Sequence, residues 1–500
     1  MTAPPEPRVR GNDHGTLTPP PLGGWQPRLT ASVVVPAHGG QDALDLTLAA
    51  LAAQSYPAHL TEVVVVDDGS SPPIRLPELA PDHTRLISSA PGGWGRSHAV
   101  RSGSEAADGD VIVWIDADTL AFREHLEAQL RWHHLARYLV VLGSRRVVDF
   151  VPGDLTAAEV HAAVTEGAED RLYTTEASRP NHWIETVYKA TDDLRRAGAS
   201  VGTTLVGSTA SAHRDLLRAA GDSDPRLILG EDSELGYRLS QAGGVFVPEH
   251  DARSWHLGAP TIERDQRRLL GHIRPHLTDR IPTMRLGRTA RRQWLVPYVD
   301  VVVDTTGASH DAVRASVDAV LEGSLPDTRV TLVGAWDTLT DGRRKVLADP
   351  LADLRLIRAE YAHEGRVRFV TDAGDTSFPA PFRLHCAPGW RLAPEGLAGL
   401  VREADAEGLG LVELTDGERV ARLERTSAVR RAHFLAGPGD DPDTLIGEVS
   451  GTLEADAGRW GSSLAPDDDG QVSVDGLLAM LEEQGMSRPR AAGPAESAER

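Results

Sequence analysis

Three short β-branched runs in the first 120 residues each stop at a proline or an acid, and segments of helical spacing separate them. Ala31 to Val35 ends at Pro36, Glu62 to Val66 runs into Asp67-Asp68-Gly69-Ser70, and Asp110 to Ile115 runs into Asp116-Ala117-Asp118. Runs of this kind read as buried strands. Between them, Asp42 to Gln54 carries Leu44, Leu48 and Leu51 at helical spacing, Leu86 to Ser88 reads as a further strand, and Ser97 to Ala107 as a helix. Strands alternating with helices predict an α/β fold with a parallel sheet covered on both faces. Ligands then bind beyond the carboxyl ends of the strands. Pro36, Asp68 and Asp116 therefore converge on one crevice.

Carboxylates that close an apolar strand are costly unless something pairs them. A divalent cation held by oxygen ligands is one solution; a strand-end cap or a surface turn is the ordinary alternative. Asp68-Gly69-Ser70 likewise reads either as a binding element or as a turn.

A second acid pair, Glu231-Asp232, opens a helix running to Ala242, stopped by Gly243-Gly244 and carrying Leu235, Leu239 and Ala242 as its buried stripe. Acids at a helix start are commonly caps. Trp255-His256 follows a strand-like Gly244 to Val247, and His256 is either a core histidine or a metal ligand. Pro91 to Ser97 is Gly-rich and leads into a helix, as phosphate- or ribose-binding loops do. Arg264, Arg267, Arg268, Arg274, Arg280, Arg285, Arg288, Arg291 and Arg292 form a basic run in an acidic chain. It reads as a solvated face, a diphosphate lid or a patch on anionic lipid.

The net charge of −21 argues against broad nucleic-acid binding. One cysteine, Cys386, excludes an intrachain disulfide framework and fits a reducing cytoplasm. No run approaches the roughly 18 apolar residues of a membrane span, and no apolar leader marks export. Residues 1–28 and 487–500 are rich in Pro, Gly and polar residues and are expected to be disordered tails.

The chain also echoes itself. Asp300 to Val303 parallels Ser32 to Val35, Ser324-Leu325-Pro326 parallels Ser55-Tyr56-Pro57, and Val330 to Val333 parallels Val63 to Val66. This predicts a duplicated domain over 293–486. Cys386-Ala387-Pro388 falls near the position of Asp116-Ala117-Asp118, and Ala335-Trp336 stands where Asp68-Gly69 stood, so the copy has lost its acids.

Taken in order, Ala31 to His38, Val65 to Ser70, Ile115 to Asp118 and Gly230 to Leu239 resemble the family 2 glycosyltransferases. The resemblance covers about Leu29 to Pro260 and implies a GT-A fold, here over 29–292, followed by a degenerate GT-A-like copy. It implies an inverting enzyme that takes a sugar from a nucleotide-diphosphate sugar with Mg²⁺ or Mn²⁺. On that resemblance Pro36 and Ala37 form the turn at the nucleotide base, Asp68 accepts a base N–H, and Gly95 and Arg101 approach the phosphates or ribose. Asp118 ligates the metal, Asp116 holds the ribose or a metal-bound water, and His256 is a third ligand. Asp232 is the general base, oriented by Glu231. The usual Ala-Arg-Asn before a Gly is replaced by Ala99-Val100-Arg101-Ser102-Gly103, so the arginine is displaced and Arg96 competes with Arg101 for its place.

The acceptor is expected to dock on Asp149 to Ser211 and to be a glycan, a glycolipid or a small molecule. The setting would be cell-surface glycan synthesis in the cytoplasm, with peripheral contact at the inner membrane face. A sugar nucleotidyltransferase would want a lysine near the first strand, and Pro36 to Gln54 has none. A non-catalytic scaffold would have lost the acids in both copies.

Overall fold

The computed structural model describes residues 6–464 apart from 261, 262, 264, 286–291, 343, 418 and 462. The first sheet is built from β1 (Ala31–Ala37), β2 (Thr61–Asp67), β3 (Thr84–Ser88), β4 (Val111–Ile115), β5 (Thr119–Ala121), β6 (Leu139–Val148), β7 (Arg179–Pro180), β8 (Thr209–His213) and β9 (Val245–Leu257). Its order is β3-β2-β1-β4-β8-β6-β9-β5, with β7 on β6. β1 runs parallel to β2 and β4, β8 is antiparallel to β4 and β6, and β6 is parallel to β9.

The valine runs explain this arrangement. Side chains alternate across a strand, so Val33, Val35, Val63 and Val65 enter one core with Leu44 and Leu48 of the helix Gln41–Leu51. Val34, Val64, Val66, Ile112 and Trp114 enter the other with Ala99 and Val100 of the helix Arg96–Ala106. Both faces are covered, as continuous apolar strands require.

The second sheet comprises β10 (Val299–Asp304), β11 (Thr328–Val333), β12 (Val367–Val370), β13 (Phe382–Cys386), β15 (Leu411–Asp416), β16 (Arg419–Arg425) and β17 (Thr452–Asp456); β14 (Trp390–Arg391) pairs separately with β18 (Ser463–Leu464). Its order is β12-β11-β10-β13-β16-β15-β17, with β16 antiparallel to both neighbours and β15 parallel to β17. This repeats the first sheet strand for strand from β3 to β9. The registers agree as well: Ala31 pairs with Thr61 and Val111, and Val299 with Thr328 and Phe382. Carried along β4 and β13, that register sets Ala387 opposite Asp116 in the comparison and Gly389 opposite Asp118. Burial pushes the Cys386 thiol up to about 12, so it is not a thiolate ligand.

The expected N-terminal tail is corrected by the structure. From residue 6 the segment packs across both halves of the chain. Val9 is buried. The Asn12 amide donates to the carbonyls of Leu194 and Phe246 and accepts from Phe246 N–H, while Gly11 N–H donates to Val449. Arg431, in the helix Thr426–Leu435, donates to the carbonyls of Val9, Gly11, Gly243 and Gly244. Order here comes from bonds to distant residues, which local composition does not display. The expected tail 487–500 lies outside the described residues.

The arginine run is also resolved in part. Arg285 is buried, ion-paired with Asp327 beside β11, and bonded to the Val296 carbonyl. It joins the two halves and is neither lid nor membrane patch. Arg267, Arg268 and Arg274 are exposed on the helix Gln266–Arg280. Arg264, Arg288 and Arg291 lie outside the described residues. No helix among the described residues is long and apolar enough to cross a membrane.

Candidate active site

At the end of β2 the two acids separate by task. Asp67 accepts from the amides of Ser70 (2.9 Å) and Ile74 (3.2 Å) and so builds the turn. Asp68 is 4% exposed. Its backbone N–H donates to Ala37 O, and its carbonyl accepts from His38 Nδ1. Its Oδ2 accepts from Gly95 N–H at 2.7 Å, and its buried Oδ1 has no partner. Gly95 sits at φ 106°, ψ 163°, a conformation essentially restricted to glycine. A side chain here would withdraw the amide that pins Asp68.

At the end of β4 the chain turns through Asp116 and Asp118 into β5. β5 pairs with β9 so that Thr119 faces His256, and Leu257 N–H donates to Asp118 O. This pairing sets His256 Nε2 3.5 Å from Asp118 Oδ1. His256 Nδ1 bonds the Gly258 carbonyl, which leaves Nε2 bare in the neutral ring. Ligand atoms of Asp116, Asp118 and His256 lie within 4.8 Å of one another. Burial, with Asp116 adding to it and His256 opposing, pushes the Asp118 carboxyl up. Burial also works against ionised Asp116, but Arg96 and His256 outweigh it and hold that carboxyl below its usual range.

Arg96 opens the helix after Gly95 and crosses the crevice. Its Nε donates to Asp116 Oδ1 (2.8 Å), and its Nη1 donates to Asp232 Oδ1 (2.9 Å) and Glu231 Oε1 (3.2 Å). Burial disfavours its charge, yet Asp116, Asp232 and Glu231 overcome that and hold it firmly protonated. Asp232 does not cap its helix: the cap is Gly230, with no side-chain cap bond. Asp232 Oδ2 instead accepts from Gly207 N–H at 2.9 Å. Burial and Asp232 together push the Glu231 carboxyl up to about 7. Arg145, on β6, reaches Ser208 Oγ at 3.0 Å; burial pulls its pKa down while Asp116, Asp232 and Asp118 oppose. The crevice thus joins two carboxylates and an imidazole suited to a hard divalent cation with a further carboxylate, across a shared guanidinium.

Residues 32–201 match the model of the family described as glycosyl transferase family 2. Over these residues the chain is similar to the family 2 glycosyl transferases. Two validoxylamine A glucosyltransferases, from Streptomyces hygroscopicus subsp. limoneus and subsp. jinggangensis, are 29% identical to it over 239 residues. The match covers 46% of this chain and 51% and 55% of theirs, so the chain spans about half the length of these relatives. Among solved structures, a Pyrobaculum calidifontis mannosyltransferase in complex with GDP-Man and Mn²⁺ overlaps 55% of this chain and 68% of its own, at 18% identity and a TM-score of 0.35.

Most of the expected residues meet in this crevice. Pro36 and Ala37 close β1 beside Asp68 and Gly95. Asp116, Asp118, His256, Glu231 and Asp232 share the second part of the crevice. Arg101 does not join them: it pairs with Glu105 at 2.8 Å on its own helix. Helix geometry gives the reason. Arg96 lies one turn before Val100, where the family pattern has its arginine, and shares its face; Arg101 is rotated away. Gly207 and Arg145 join the site without any local motif around them. A Cβ at Gly207 would stand 2.3 Å from Asp232 Oδ1 and 2.7 Å from Arg96 Nη2, a constraint that no local motif carries.

Proposed function

We propose that the chain is a metal-dependent inverting glycosyltransferase that moves a sugar from a nucleotide-diphosphate sugar to an acceptor hydroxyl. The observation that carries this reading is the Arg96 bridge, which links the Asp116–Asp118–His256 cluster to Asp232 across one crevice. A base and a cation site on opposite sides of a reacting carbon are what in-line displacement requires.

Asp116, Asp118 and His256 would hold Mg²⁺ or Mn²⁺: two carboxylates and a bare imidazole nitrogen fit such an ion, and neutralisation would remove the cost of the crowded acids. The bound ion supplies Lewis-acid stabilisation of the departing diphosphate. Asp68, Gly95 and the Pro36–Ala37 turn hold the nucleoside. Asp232 takes the proton from the acceptor hydroxyl as its oxygen bonds the anomeric carbon; the electron pair of the broken bond leaves with the diphosphate. Gly207 N–H and Arg96 keep the Asp232 carboxylate aimed. Glu231, with its raised pKa, orients that pair.

The relatives act, by their names, on validoxylamine A, and from them we carry over a small hydroxylated acceptor. A cavity of about 340 Å³ lined by Arg145, Ile184, Tyr188, Thr204 and Val206, the last of which precedes Gly207 in the chain, supports that size. The second α/β unit, with Ala335, Ala387 and Gly389 in place of acids, is proposed to be non-catalytic. The test is incubation with Mn²⁺, a nucleotide-sugar panel and small polyol acceptors, with the product anomer read by NMR. Inversion is expected; retention of configuration overturns the mechanism, and no turnover with any pair overturns the assignment.

A further inference from the structure

A separate cavity, of about 400 Å³, lies where three parts of the chain meet: the N-terminal segment, the first α/β unit and the second. Exposed Gly198 and Gly408 are among its lining residues, so it opens to solvent. Three features of its wall lack their usual partners. The helix Thr426–Leu435 starts there with no side-chain cap. Arg425 N–H donates to Gly410 O and Thr426 N–H to Pro381 O, while the amides of Ser427 and Ala428, both on the wall, have no acceptor among the described residues. Free amides at a helix start attract anions. Arg431 is 6% exposed, and its charge is met by four carbonyls but by no carboxylate among the described residues. Asp405, the acid on this wall, is already paired with Arg425 at 3.0 Å. Gln241 is 5% exposed and lines the cavity, and its buried Oε1 has no partner.

We propose that this cavity binds a small phosphorylated sugar. The phosphate takes the Ser427 and Ala428 amides, and its negative charge matches the buried charge of Arg431. A buried acceptor without a donor is costly, and a sugar hydroxyl supplies the donor that Gln241 Oε1 lacks. No aromatic side chain is among the lining residues, so a nucleotide base would find nothing to stack on. The site is distinct from the crevice described above: Gln241 closes the helix that Glu231 opens, about 15 Å along its axis. Because the ligand touches three parts of the folded chain, it stabilises their assembly.

The test is calorimetric titration of the full chain with glucose 1-phosphate, glucose 6-phosphate, inorganic phosphate and glucose. Chelator is present throughout, so that no cation in the crevice captures phosphate. At least one hexose phosphate should bind saturably, at least about tenfold tighter than inorganic phosphate or glucose, and should raise the thermal midpoint. Ser427→Asp places an acid in the first helical turn, which suits the helix but repels the phosphate. The folded variant should lose at least about tenfold in hexose-phosphate affinity. Gln241→Leu removes the contact to the sugar and should bring hexose phosphate and inorganic phosphate to within about threefold of each other. Inorganic phosphate binding as tightly as both hexose phosphates would overturn the sugar assignment. No saturable binding of either hexose phosphate, or wild-type affinity in Ser427→Asp, would overturn the site, and both results leave the glycosyltransferase reading standing.

Discussion

Arg96 Nη1 donates to Asp232 Oδ1 across 2.9 Å, joining the start of the second crevice-facing helix to an acid 136 positions later. The same guanidinium holds Asp116, so the proposed base and the proposed metal site are electrostatically one unit. Charge-assisted bonds of this kind orient as well as neutralise. Arg96→Lys should keep the charge but lose the fork, and turnover should fall by more than about tenfold while the thermal midpoint changes little. Equal turnover for Lys and Arg at this position would show that charge alone is needed.

Asp232→Asn should retain nucleotide binding, because its amide oxygen still accepts from Gly207. Turnover should fall by about a hundredfold or more, the usual contribution of a general base. Steady-state rates with calorimetric donor affinity separate the two effects. A folded Asp232→Asn protein with wild-type rate would place the base elsewhere.

Gly207→Ala puts a methyl group into the space shared by Asp232 and Arg96, 2.3 Å from the first. Both side chains must shift. Turnover should drop by at least about tenfold, since misplacing a catalytic group by an ångström costs that or more. Donor affinity, read in parallel, should change less than threefold.

Glu231 gives a pH signature. Its carboxyl is raised from 4.5 in the unfolded chain to about 7 in the fold by burial and by Asp232. Between those values the unfolded chain loses its proton first, so this residue lowers stability as pH rises from 4.5 to 7 and keeps it lowered above. Glu231→Gln should therefore be more stable than wild type at pH 8, by on the order of 2 kcal/mol, and equal to it near pH 4.5. Thermal melts across that window check the sign.

Arg431 fastens the N-terminal segment to both halves through four carbonyls. Arg431→Met would leave those carbonyls without a donor, at a cost of about 3 kcal/mol in total. Limited proteolysis should then cut within residues 6–28 at protease levels that spare the wild type.

Local chemistry carried much of this architecture into view. The valine runs and their terminal Pro36, Asp68 and Asp116 announce strands and a shared crevice because each signal is complete within a few residues. The same holds for the repeated unit, whose register follows from the echo at Val301 and Val330. What escaped depends on contacts between distant segments. Residues 6–28 carry few apolar side chains and are ordered by Asn12 and Arg431. Arg96 outcompetes Arg101 only once the helix start and its rotation are fixed. Gly207 matters because Asp232 and Arg96 crowd it, and His256 reaches Asp118 only through the β5–β9 pairing.

Asp116, Asp118 and His256 are proposed to form the cation site on which donor use depends. Release of nucleoside diphosphate from a nucleotide-sugar panel by wild type and Asp118→Ala, each with Mn²⁺ and with chelator, tests it most directly. Wild type should turn over at least one donor only with the metal, and folded Asp118→Ala should fail under both conditions. Donor turnover that persists in chelator, or survives in Asp118→Ala, would rule out this cation site.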